Sequence, residues 1–301
     1  MIWYFDSGAS RHITSKKDLF CSLDAAPAGK KVTCANNASY PIKGVGKILI
    51  TISDGSDLCL PDILYVPGIK KNLLFVSSLA KNGLRVIFED DRCIVRDREN
   101  GYSLITTGTL ENGLFVLDRY EKKKESSLVV SASGDSSTAK EESANFVQDS
   151  YAFLVCSDFF AYSVDETQMI WYFDSGASRH ITSRKDLFCS LDAAPARKKV
   201  TCANNASYPI KGVGKILITI SDGLDLCLPD ILYVPGIKKN LLFVSSLAKN
   251  GLRVIFEDDR CIVRDRENGY SLITTGTLEN GLFVLDRYEK QIQACIAKTK
   301  T

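Results

Sequence analysis

Two carboxylates stand out by the residues around them. Asp6-Ser7-Gly8-Ala9-Ser10 follows the apolar run Trp3-Tyr4-Phe5, and Asp174-Ser175-Gly176-Ala177-Ser178 follows Trp171-Tyr172-Phe173. A carboxylate on a Ser/Gly turn has two readings. It can cap its own backbone, as Asp commonly does in turns. It can also serve in acid–base hydrolysis, which works best when two titratable groups at one place have different proton affinities. Other chemistry is poorly provided for. The stretches 1–122 and 169–290 each have one histidine, His12 or His180, and four of the ten cysteines: Cys21, Cys34, Cys59 and Cys93, or Cys189, Cys202, Cys227 and Cys261. No Cys-x-x-Cys pair and no zinc-knuckle spacing occurs, so no metal and no cofactor is expected. The cysteines read as small buried hydrophobes rather than nucleophiles. His12 is expected at the surface or beside the Asp6 turn.

The elements that must position these residues are written twice. Residues 1–122 recur as 169–290, and only Lys16/Arg184, Gly29/Arg197 and Ser56/Leu224 differ. A period this long is a domain and not a solenoid unit. The 301 residues suit two domains at about 150 residues each. The expected organisation is copy 1 (1–122), a connector (123–168), copy 2 (169–290) and a tail (291–301). Copy 1 begins at Met1 where copy 2 has Met169, so copy 1 is expected to lack whatever precedes Met169.

Within one copy the pattern is β. Lys31 to Ala35 alternates, Lys47 to Ser53 is β-branched and alternating, and Asp54-Gly55 is a hairpin turn. Leu58 to Val66 is apolar but contains Pro61, expected at an edge or a strand start. Asn72 reads as the N-cap of a helix of about ten residues ending at a C′-type Gly83. Further short strands are expected at 85–88, 93–96, 102–106 and 114–118. Turns every 8–12 residues signal a small barrel or sandwich. The fold class is all-β, with one short helix per copy.

The wider sequence resembles the retropepsin-like aspartic proteases, specifically the protease region of copia-type retrotransposon polyproteins. Three ordered blocks carry the resemblance: WYFDSGASRHIT, LPDILYVPGIKKNLLFVSSL and GTLENGLFVLD, the last similar to the start of the segment preceding integrase. It covers nearly all of both copies. The resemblance implies two small β-barrels, each supplying one catalytic aspartate, here Asp6 and Asp174. Two carboxylates about 3 Å apart cannot both ionise and share one proton. The ionised member takes a proton from water, and the protonated member hydrogen-bonds the scissile carbonyl. By the same resemblance Ser7 and Ser175 cross-brace the two loops. Gly8 and Gly176 let backbone approach substrate, and Leu73-Leu74 back the loop. The family usually reads Asn-Leu-Leu-Ser there, whereas this chain has Phe75 and Phe243. A flap is implied over residues 36–47, with Tyr40, Gly44 and Gly46 and their counterparts Tyr208, Gly212 and Gly214. An ordinary hairpin is the competing reading of that stretch.

The implied substrate is an extended peptide or polyprotein of the Gag-Pol class. The implied pairing is between the two copies of one chain or in a homodimer. A connector of 46 residues spans roughly 35–40 Å as a coil, enough for the copies to meet. Residues 123–145 are Ser- and charge-rich and expected to be disordered. Residues 146–168 are richer in aromatics and read equally as a strand added to copy 2 or as linker. The apolar run Phe153 to Phe160 suits a peptide threaded between two lobes, which raises self-cleavage in the connector. The alternative to an enzyme is an inactive barrel that self-associates or holds a peptide by strand addition.

Composition narrows the rest. The chain is 45% hydrophobic and 25% charged with net charge +2, so it is neither disordered nor a basic nucleic-acid module. Short clusters such as Lys70-Lys71 read as solvated faces. No run of about 18 apolar residues occurs, so no membrane partner is expected. The start lacks the features of an export signal. Reduced thiols and a cytoplasmic location are therefore the expectation.

Overall fold

The computed structural model describes residues 2–8, 11–34, 39–52, 55–118, 150–153, 156–157, 170–176, 179–195, 198–202, 207–220, 225–237, 239–286 and 288–290. Copy 1 opens with β1 (Trp3–Asp6), β2 (Ile13–Thr14) and β3 (Phe20–Ala25). It continues with β4 (Lys31–Cys34), β5 (Ser39–Pro41), β6 (Gly44–Thr51) and β7 (Asp57–Tyr65). Then follow β8 (Asn72–Phe75), helix α1 (Val76–Lys81), β9 (Leu84–Glu89), β10 (Arg92–Asp97), β11 (Ser103–Glu111) and β12 (Leu114–Leu117). The connector contributes β13 (Ser150–Phe153) and β14 (Cys156–Ser157). The disorder expected over 123–145 lies outside the described residues.

Copy 2 repeats the series. Its first strands are β15 (Trp171–Asp174), β16 (Ile181–Thr182), β17 (Phe188–Ala193) and β18 (Lys199–Cys202). Next come β19 (Ser207–Pro209), β20 (Gly212–Ile220), β21 (Asp225–Tyr233), β22 (Asn240–Phe243) and α2 (Val244–Lys249). The copy ends with β23 (Leu252–Glu257), β24 (Arg260–Asp265), β25 (Ser271–Glu279), β26 (Leu282–Leu285) and β27 (Tyr288–Lys290). The protein is thus all-β, two barrel-like copies, each with one short α-helix and one 3-10 turn (Lys17–Leu19 or Lys185–Leu187) among the described residues. No helix among the described residues is long and apolar enough to cross a membrane.

The strand that carries Asp6 is an interior one. β1 runs parallel to β8, with Asp6 opposite Phe75, and antiparallel to β12, with Tyr4 opposite Val116. Every position of β8 and β12 is buried, as expected for strands covered on both faces. That burial also explains why the helix is shorter than expected. Residues 72–75 satisfy their backbone in the sheet, so the helix starts at Val76 and has 6 residues. Asn72 is not its cap. Its Oδ1 accepts from Thr14 Oγ1 at 2.7 Å and its Nδ2 donates to the Ile2 carbonyl at 2.9 Å. The C-terminal signal holds: Gly83 follows Asn82 with φ +81, the left-handed conformation that favours glycine.

Pro61 sits inside β7 and not at its start. The β6–β7 register moves from Gly46↔Ile63 to Ile48↔Leu60, so Pro61 and Asp62 bulge, with Asp62 at φ 56. On its other side β6 faces a second register shift in β3, between Phe20 and Ser22. Strand β3 itself has no strong signal in the sequence, and most of its positions are exposed or half-exposed.

The copies join through β9 and β23, which pair antiparallel. Ile87 lies opposite its own counterpart Ile255, flanked by Val86↔Phe256 and Phe88↔Val254. A local two-fold axis therefore passes between Ile87 and Ile255. Phe88 and Phe256 are fully buried and meet edge to face at 5.9 Å. One apolar cluster runs through both copies and includes Trp3, Phe5, Trp171 and Phe173. At the rim, Arg85 Nε donates to Glu257 Oε2 at 2.8 Å, and Arg253 Nε donates to Glu89 Oε2 at 2.8 Å. The expectation of reduced thiols fits Cys21, Cys59, Cys93, Cys227 and Cys261; Cys189 departs from it, being in a disulfide.

Candidate active site

Asp6 ends β1 and Asp174 ends β15, each pointing into the contact between copies. A Cβ built on Gly8 would lie 3.1 Å from Asp174 Cγ, 3.1 Å from Asp174 Oδ1 and 3.1 Å from Asp6 Oδ1. The two carboxyl groups therefore converge on one glycine, and the close approach explains why it has no side chain. The loops are bonded to each other by their serines. The Ser7 amide donates to Ser175 Oγ and the Ser175 amide to Ser7 Oγ, both at 2.8 Å. Each hydroxyl donates onward to a carbonyl of the opposite copy, Ser7 Oγ to Phe173 O and Ser175 Oγ to Phe5 O, both at 3.1 Å. All four partners are buried.

Each carboxyl uses one oxygen locally. The Gly8 amide donates to Asp6 Oδ1 and the Gly176 amide to Asp174 Oδ1, both at 2.7 Å. The two Oδ2 atoms are buried with no protein partner. Burial pushes the Asp6 carboxyl up to about 7, against the pull of the Gly8 amide and the Lys71 charge. Asp174 is pushed well above the usual carboxylate range, first by burial and then by the charge of Asp6. Such a pair titrates as a unit that holds a proton.

Lysine 71 is absent from the sequence-derived site, where Lys70-Lys71 reads as solvent-facing. It is instead half-buried, with Nζ 4.6 Å from the centre of the Tyr4 ring. Its counterpart Lys239 lies 4.8 Å over Tyr172. Burial lowers both lysines to about 8, while the neighbouring aspartates oppose that shift. The available signal was position: Lys71 directly precedes the strand that pairs with β1.

His12 is buried and not at the surface. Its Nδ1 accepts the Phe75 amide at 3.0 Å, and its ring stacks on Phe75. Phe75 is the register partner of Asp6, so His12 fixes the strand beside the carboxylate. Burial lowers the His12 ring to about 4, which keeps it neutral. With Nδ1 accepting, the ring proton sits on Nε2. His180 repeats the arrangement on Phe243.

The candidate flap residues separate into two groups. A hairpin is present, formed by β4 and β5 with Val32 opposite Tyr40, and its tip lies outside the described residues. Tyr40 is at the root, packed against Gly68 and the apolar cluster below; Tyr208 is placed likewise against Gly236. Gly44, Gly46, Gly212 and Gly214 are not in the hairpin. They lie in β6 and β20, where a Cβ on Gly46 or Gly214 would come within 1.9 Å of a carbonyl oxygen, that of Ser22 or Ser190. These glycines serve close strand packing between two bulges and do not supply a hinge.

A family model described as "Pol polyprotein, beta-barrel domain" matches residues 3–84 and again 171–252. The chain belongs to this family. It carries the copia-type Pol beta-barrel domain in two copies. One curated relative is the "Retrovirus-related Pol polyprotein from transposon TNT 1-94" of Nicotiana tabacum, 33% identical over 90 residues, 30% of this chain and 7% of that protein. The corresponding polyprotein from transposon RE1 of Arabidopsis thaliana is 35% identical over 104 residues, 34% of this chain and 7% of that protein. The chain thus spans about 7% of the length of these relatives. No solved structure matches. In each Pol beta-barrel domain the matched span includes the aspartate, the hairpin and the helix, and it stops at the first residue of the strand that joins the copies.

Proposed function

We propose that the two Pol beta-barrel domains of this chain form one aspartic endopeptidase. Asp6 and Asp174 share a proton. The ionised carboxylate takes a proton from water, and the protonated one hydrogen-bonds the scissile carbonyl and stabilises the tetrahedral intermediate. The Oδ2 atoms, which have no protein partner, are the ones left to do this. The substrate class is an extended polypeptide, held by strand pairing to the hairpins.

The observation that carries this reading is the convergence of two buried carboxyls on Gly8, braced by the reciprocal Ser7–Ser175 bonds. A turn-capping Asp needs neither a second carboxyl nor desolvation. The test is cleavage of a mixed peptide library at pH 4–7 by the native chain, Asp6→Asn and Asp174→Asn. The reading expects turnover by the native chain and its loss in each variant. A folded, pure native chain that cuts nothing would leave the inactive peptide-binding barrel.

A further inference from the structure

Strand β27 docks on the sheet of copy 2 beside β17. It runs antiparallel to β20, with Tyr288 opposite Ile220, Glu289 opposite Thr219 and Lys290 opposite Ile218. Strand β21 holds one edge of β20, so β27 lies on the other. Strand β17 takes that same edge farther along, with Phe188 opposite Ile216. The chain leaving Lys290 therefore heads toward Phe188 and its neighbour Cys189. Two residues along a strand are about 7 Å. The five residues from Lys290 to Cys295 can span up to about 17 Å.

The two copies differ at this place although their sequences there agree. Leu49 is 52% exposed, whereas its counterpart Leu217 is half-buried. Leu19 is half-buried, whereas Leu187 is buried. Cys21 is exposed and free, whereas Cys189 is half-buried and in a disulfide. Three changes in one direction, at one patch, mark added cover over copy 2. The partner of Cys189 is not Cys21, Cys59, Cys93, Cys227 or Cys261, which are free. Cys34 stands to Cys21 as Cys202 stands to Cys189, and Cys21 is free, so symmetry excludes Cys202. Cys34 and Cys156 lie opposite one another on the hairpin of copy 1. Cys295 is the cysteine left, and it follows the strand already docked beside β17.

We propose that Cys189 is a redox-modification site whose partner is Cys295, and that their disulfide latches the C-terminal tail over Leu187 and Leu217. The inference is independent of the endopeptidase reading. The oxidant is a small-molecule disulfide such as oxidised glutathione. One cysteine thiolate attacks it and forms a mixed disulfide, releasing one small thiol. The second thiolate then attacks the protein sulfur of that mixed disulfide and releases the other. One S–S bond forms in the protein and one is lost in the oxidant, which carries away two electrons and two protons. Copy 1 has the same Tyr-Glu-Lys at 120–122, but Ser127 stands where copy 2 has Cys295. The latch thus belongs to copy 2 alone and makes two near-identical domains respond differently to oxidation.

The test is a peptide map of the full chain after incubation with oxidised or reduced glutathione. Free thiols are alkylated, and the chain is cut with trypsin without reduction. The Gly29/Arg197 difference separates the copies by mass: peptide 18–30 carries Cys21, peptide 186–197 carries Cys189, and peptide 291–298 carries Cys295. After oxidised glutathione, 186–197 should be found joined to 291–298, two hydrogens lighter than their sum, while 18–30 is alkylated. After reduced glutathione all three should be alkylated. Cys295→Ser should leave Cys189 alkylated like Cys21 under both conditions. The urea midpoint should rise on oxidation in the native chain and stay fixed in Cys295→Ser. Peptide 186–197 joined to any other cysteine peptide would overturn the assignment. So would alkylation of Cys189 to the same extent as Cys21 in the oxidised native chain.

Discussion

Ser7 and Ser175 hold one another's backbone: each amide donates to the other's hydroxyl at 2.8 Å, across the boundary between copies. This reciprocity places two carboxylates that are far apart in sequence on one axis. Ser7→Ala would leave the buried Ser175 amide and the Phe173 carbonyl without their partners. The expected loss is about 1–3 kcal/mol, the cost of stranding buried polar groups. Urea unfolding of Ser7→Ala against the native chain measures it. Peptide turnover should fall more in kcat than in KM, because the loop and not a binding surface is loosened.

Burial and ion pairs contribute unequally to the joint between copies. Phe88 is fully buried and touches Phe256. Phe88→Ala should cost about 3–5 kcal/mol, the usual range for deleting a buried aromatic. Glu257→Gln weakens the pairing with Arg85, whose side chain is 30% exposed, and should cost about 1 kcal/mol or less. Equal losses in the two unfolding midpoints would contradict an apolar joint.

Stability should depend on pH through the carboxyl pair. Both aspartates sit above the ordinary value of 3.8, Asp6 at about 7. The folded chain keeps protons that the unfolded chain releases, so this contribution is full below about pH 4 and is lost as the pH rises through about 7. His12 and His180 act oppositely. Held down to about 4 from 6.5, they stabilise above pH 6.5, and that contribution is lost as the pH falls through about 4. The doubly substituted Asp6→Asn, Asp174→Asn chain should therefore gain on the native one by on the order of a few kcal/mol between pH 4 and 8. Urea midpoints of both proteins across that range check it. A constant difference would contradict the raised carboxyls.

On the proposed endopeptidase reading, Lys71 and Lys239 should set the alkaline limb of activity. Each lowers the proton affinity of its neighbouring aspartate. Lys71→Met should let the pair keep its proton to higher pH and move the alkaline limb of the kcat/KM profile upward. Lys71→Arg should leave it close to native. A downward shift in Lys71→Met would contradict the assignment.

Much of this was legible in the sequence, and the misses share a cause. Trp3-Tyr4-Phe5 before a Ser/Gly turn marks a buried strand end by local pattern alone, and Lys47–Thr51 alternates as its burial does. Asn72 misleads because a parallel partner strand, distant in sequence, takes the backbone bonds that a helix would have used. Gly46 reads as flexible, and only two flanking bulges reveal that it is crowded. Lys71 looks solvated until β8 places it over Tyr4. The described connector strands pair with hairpins more than 40 residues away in sequence, one with each copy.

The most direct test asks whether one aspartate from each copy of the same chain makes the site. Peptide turnover is measured for the native chain over a range of concentrations, for Asp6→Asn, for Asp174→Asn, and for an equal mixture of the two variants. The account predicts a native rate linear in protein, and no turnover from either variant or from the mixture. Turnover by either variant alone would contradict the paired site. Recovery in the mixture would show that the aspartates pair between chains and would contradict the single-chain enzyme.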